Sequence, residues 1–182
     1  MDVCSSQTGG SVSEKKPEQN LMSKVLLRCK SDTAFCAALK RADNADTEYQ
    51  SWEYLADYGV NLEYEDQRLP FTTVFAAAAR SSNSTDGFIT LGQALLMAYD
   101  GDRDSAPARS RLRRILACDT TEEVCDVLHS MLRLIGSKGV PISYGLLLRD
   151  LKYFERSSEE TKARWAQEFF GKKTDDTEED NS

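Results

Sequence analysis

Few side chains in this chain are suited to bond-making chemistry. His129 is the single histidine, and the five cysteines, Cys4, Cys29, Cys36, Cys118 and Cys125, form no Cys-x-x-Cys pair. A zinc site or a Cys-His nucleophile therefore has little material to draw on. Glu122, Glu123 and Asp126 have the types needed to ligate a metal. Acids in the first turn of a helix, however, are already explained by its macrodipole. No Gly-x-Gly-x-x-Gly, no Gly-Lys-Ser/Thr phosphate loop and no Gly-x-Ser-x-Gly elbow occurs. The reading is a protein without catalytic residues, metal or cofactor.

What remains is charge. Arg103 to Arg114 holds five arginines against one acid, Asp104, a local net of +4 in a chain of net charge −7. Within it, Arg109-Ser-Arg-Leu-Arg-Arg-Ile-Leu116 sorts itself on a helix. Leu112, Ile115 and Leu116 share one arc of about 100°, and Arg109, Arg113 and Arg114 spread over the other side. Arg109 and Arg113, four apart, repel unless an anion lies between or beside them. One reading of this row is a solvated face paired to nearby acids; the other is a phosphate-binding face.

The elements around the row read as all-α, about eight helices. The apolar period begins at Leu21 and runs as one helical stretch to Lys40-Arg41. An acidic connection follows: 43–66 carries eight acids and no base. Tyr49, Trp52, Tyr54, Leu55 and Tyr58 predict a short aromatic helix closed by Gly59, and the next helix has Pro70 in its first turn and an alanine-rich end. Thr90-Leu-Gly-Gln93, Thr120-Thr-Glu-Glu123 and Ser157-Ser-Glu-Glu160 each read as a capping box opening a further helix. Trp52, Trp165, Phe169 and Phe170 are expected in the core, and His129 at its boundary. The ends, 1–20 and 172–182, are polar or acidic and are expected to be disordered. The helical body, 21–171, is expected to divide near 86/87 into two small bundles. No apolar run reaches the roughly 18 residues that span a bilayer, and the start lacks a signal peptide's apolar stretch. A cytoplasmic protein with reduced thiols and no membrane contact is the expectation.

Five strings in order carry a resemblance: Gly87-Phe-Ile-Thr-Leu-Gly-Gln-Ala-Leu95, Arg111-Leu-Arg-Arg-Ile-Leu-Ala-Cys-Asp119, Ser137-Lys-Gly-Val-Pro-Ile-Ser-Tyr144, Leu148-Arg-Asp-Leu151 and Arg164-Trp-Ala-Gln-Glu-Phe-Phe-Gly171. Together they resemble the CasB family, the small subunit of the type I-E CRISPR Cascade surveillance complex. The resemblance implies a non-catalytic, two-bundle helical subunit that sits as a pair with a second copy of itself. Its implied partners are the backbone and large subunits of Cascade, the guide RNA and the target DNA strands. It further implies that Lys40, Arg41, Arg109, Arg111, Arg113, Arg114, Arg149 and Arg164 contact nucleic acid and steady the R-loop. Gln93 and His129 stand where the family often has arginine, and Ser143 where it has aspartate.

Such a task needs charge more than shape. A protein that accepts any sequence must hold sugar-phosphate with Arg and Lys and leave the bases alone. Five such contacts to a single strand predict a log–log salt slope of roughly −3.5. The rival reading is a helical protein-interaction adaptor, its arginine helix docked on an acidic partner.

Overall fold

One carboxylate breaks the first helical stretch in two. In the computed structural model, which describes residues 17–171, α1 (Pro17–Ser31) stops before Asp32. Asp32 takes extended backbone angles and accepts from the Phe35 amide at 2.9 Å, opening α2 (Thr33–Lys40). The expected single helix fails here because an aspartate N-cap satisfies a free amide better than continuation does. α1 also starts before Leu21, at Pro17, where a missing N–H is harmless in a first turn. Residues 1–16 and 172–182, where the tails were expected, lie outside the described residues.

A 3-10 turn (Glu48–Ser51) leads into α3 (Trp52–Asp57), and Gly59, at φ +74°, ends this aromatic piece. α4 (Glu65–Arg80) begins earlier than expected, so Pro70 lies inside the helix and beyond its first turn. After the loop 81–90 comes α5 (Leu91–Ala98). Its expected capping box does not form: Thr90 makes no side-chain cap. The Gly92 amide instead donates to Glu168 Oε2, from the last helix, at 3.2 Å. A Cβ at Gly92 would lie 2.3 Å from the Trp165 carbonyl oxygen, so glycine is what allows this approach.

α6 (Ala106–Leu116) is capped by Ser105, and α7 (Thr121–Ser137) carries the expected reciprocal box, with Thr120 and Glu123 satisfying each other's amides. α8 (Tyr144–Lys152) follows Pro141. Asp86 reaches its N-terminus from the loop after α4, accepting from the Tyr144 and Gly145 amides at 2.7 and 3.0 Å and from the Ser143 hydroxyl at 3.2 Å. A carboxylate thus meets this helix end although Ser143 occupies the position where the resemblance has aspartate. α9 (Phe154–Phe170) is non-helical at Ser157, where a separate helix start was expected.

α4 lies on α7 and α8, α1 on α8, and α5 on α9. One apolar cluster therefore runs through both halves, from Met22, Phe35 and Leu55 to Leu128, Leu148 and Trp165. Trp165 stacks on Phe154 at 6.0 Å and donates to Asp150. Two aromatic side chains expected inside are at the surface, Trp52 (38% exposed) and Phe170 (46%). Trp52 is held there by its Nε1–H bond to Glu48, and Phe170 by its place at the end of α9. Among the described residues no helix is long and apolar enough to cross a membrane.

Candidate nucleic-acid interface

α6 owes its position to Ala108, Leu112 and Ile115, each no more than 2% exposed, which fix its inner face against α5, α7 and α9. The helix period then turns its arginines away from that seam. Arg113 and Arg114 are exposed, and neither has a carboxylate within ion-pair distance among the described residues. Arg111 is half-buried; its Nε donates to the Tyr99 hydroxyl at 2.7 Å, a neutral acceptor that fixes the guanidinium without cancelling its charge. Arg109 differs. It pairs with Asp104 at 3.0 Å, donates to the Arg103 carbonyl at 2.8 Å and stands 5.8 Å from the Phe170 ring centre. Asp104 is itself 89% exposed, so that pair is well screened.

The other sequence candidates fall into two further groups. Arg149 and Arg164 come together on Asp150, at 3.7 and 2.7 Å, and Arg164 also reaches Glu168 at 3.7 Å. Their charge is partly met within the fold. Lys40 and Arg41 lie at the end of α2, both exposed, with Arg41 donating to the Gln50 side chain at 2.9 Å.

Beside them is a cation pair that the sequence did not single out. Both terminal nitrogens of Arg80 donate to Asp43 at 2.6 Å, and one also to the Lys40 carbonyl; Arg133 approaches the same carboxylate at 3.4 Å. The Asp43 side chain is 4% exposed. Burial works against its charge, but the two guanidinium groups prevail and hold its carboxyl below the ordinary range. A cleft of about 250 Å³ opens here between α4 and α7, with His129 and Thr73 in its wall. His129 Nε2 lies 3.2 Å from the Thr73 hydroxyl, and burial lowers its pKa, so the ring is neutral near pH 7. Arg80 and Arg133 are 37 and 90 residues from Asp43 in sequence, a spacing that no local pattern reports.

Cys29 and Cys125 are not poised as nucleophiles. Burial, with Cys36 alongside, pushes Cys29 up to about 12, and burial does the same to Cys125. Among the described residues, no group of three His, Cys, Asp or Glu side chains is placed to hold a metal ion. Glu123 is engaged in its capping box.

Fold and site together define an all-α protein that presents an arginine-lined helix to its surroundings. A family model described as CRISPR-associated protein Cse2 matches residues 36–170. The chain belongs to that family. A chain of a solved CRISPR RNA-guided surveillance complex superposes with a TM-score of 0.65 at 22% identity, over 84% of this chain and 91% of that one. CasB from Thermobifida fusca superposes with a TM-score of 0.62 at 16% identity, over 84% and 97%. At these identities the two structures speak to the fold. Comparison with curated proteins finds no match.

Proposed function

We propose that this chain is a non-catalytic small subunit of a CRISPR RNA-guided surveillance complex, and that α6 holds nucleic-acid backbone without reading sequence, steadying the R-loop. The observation that carries the reading is the pair Arg113 and Arg114: adjacent, exposed and without an internal carboxylate among the described residues. Family membership supplies the setting. Guanidinium groups suit the role because each can offer two donors to one phosphate. Arg111 adds a third cation, oriented by Tyr99.

Weak contacts are sufficient in such a setting. Guide pairing exchanges one duplex for another of similar stability, so a few contacts to a freed strand can tip the balance. Assembly with the larger subunits and a second copy raises the local concentration of strand and protein together. Cytoplasmic residence goes with this role.

The test is R-loop formation by the reconstituted complex carrying Arg113→Glu and Arg114→Glu. The expected result is slower, more salt-sensitive R-loop formation, with the salt slope for single-strand binding by the isolated chain reduced by about 1.4. Unchanged R-loop formation would leave the adaptor reading, in which the same helix meets an acidic protein.

A further inference from the structure

The last described residues lie at the foot of the arginine row. Arg103 Nη2 donates to the Gly171 carbonyl at 2.7 Å, and Arg109 stands over Phe170. Beyond Gly171 the sequence continues Lys172-Lys173-Thr174-Asp175-Asp176-Thr177-Glu178-Glu179-Asp180. We infer that this acidic segment docks on the α6 face formed by Arg109, Arg113 and Arg114 and competes there with nucleic-acid backbone.

The reach of the chain fits. Asp175 is four residues past Gly171, a span of up to about 14 Å, whereas Arg109 and Arg113 are separated by about 6 Å along the helix axis. Arg113 lies about 40° from Arg109 around that axis, and Arg114 about 100° further round.

Charge also fits. Five acids between 175 and 180 meet two arginines that have no carboxylate of their own among the described residues. Asp104, the acid already on Arg109, is too exposed to compete strongly. A carboxylate offers the same paired oxygens as a phosphate, so the segment is a covalently attached analogue of the strand.

The inference rests on α6 being the backbone-binding face, and it predicts a modest, salt-dependent restraint on binding. A short tether gives an effective concentration of about 1–10 mM. A handful of exposed ion pairs gives a dissociation constant of about 1 mM. The segment should therefore lower affinity for an outside strand by about 2–10-fold.

The experiment compares the full chain with its D175N/D176N/E178Q/E179Q/D180N variant, using a fluorescein-labelled oligothymidylate and anisotropy at a series of salt concentrations. The neutralised variant should bind about 2–10-fold tighter at about 50 mM salt, the gap closing as salt rises. Equal binding by the two chains would overturn the inference and leave α6 as the binding face, provided R113E/R114E still weakens both. If neither chain binds the probe, the strand-binding reading of α6 fails in the isolated protein. Carbodiimide cross-linking of the R113K/R114K variant then decides separately: links from positions 113 or 114 to 175–180 support the docking, and their absence overturns it.

Discussion

Arg80, at the end of α4, and Arg113, in the last turn of α6, look alike in sequence: each follows an apolar helical face near a helix C-terminus. In the fold they differ entirely. Arg80 is closed into the Asp43 carboxylate and the Lys40 carbonyl, joining the segment after α2 to α4, while Arg133 brings in α7. Arg113 meets no carboxylate among the described residues. The first arginine is tied into the fold, and the second has no such internal partner among the described residues. The number of arginines in a stretch does not separate the two roles; a buried acid within reach does.

The sharpest test of that contrast is stability. Arg80→Ala leaves Asp43 buried with one distant partner and is expected to cost about 2–4 kcal/mol in urea unfolding. Arg113→Ala should stay within about 0.5 kcal/mol of the parent. Similar losses for both would erase the distinction. Asp150→Asn tests an intermediate case, since Asp150 holds Arg149 and Arg164 and also accepts from Trp165. It should cost about 1–2 kcal/mol and steepen the salt slope for strand binding by up to about 1.4, as two cations are released.

Acid should expose the Asp43 cleft in two windows. His129 is held below its ordinary value by burial, so its contribution is present above the unfolded value of about 6.5 and is lost as pH falls through the lower folded value. Asp43 is held below its ordinary value by Arg80 and Arg133. Its contribution is present above about 3.9 and disappears as pH falls further. His129→Gln should remove the first loss in a pH series of unfolding curves and leave the second. The smallest effect belongs to Tyr99→Phe, which deprives Arg111 of its acceptor; strand affinity should change by less than about twofold, because the charge stays in place.

The sequence was informative wherever the physics is local. Leu112, Ile115 and Leu116 lie on the inner side of α6 as their spacing requires, and Thr120 and Glu123 cap α7 because both partners sit within one turn. It misled where the partner is distant. Thr90 and Gln93 match a capping box, yet Glu168 supplies the bond to Gly92 from the opposite end of the half. One miss was local: Asp32, by capping Phe35 three residues on, opens a second helix inside an apolar period that runs through it unbroken. Among the site residues, the α6 row was visible as a period, but the pairing of Arg149 and Arg164 on Asp150 needed α8 and α9 to be brought side by side. Arg80 and Arg133 gave no signal beyond their charge, because the acid they share is far from both in the chain.

Asp86 sits one residue before the expected division of the chain, yet it ends the backbone of α8. A protease that nicked the loop before Asp86 would leave the acid and its amides on one fragment, and α8 would keep its terminus. A cut just after Gly87 would place them on different fragments, joined across the nick by those hydrogen bonds and by the apolar seam of α4 with α7 and α8. The two positions of scission, only a few residues apart, therefore yield fragment pairs whose reassociation depends on different forces.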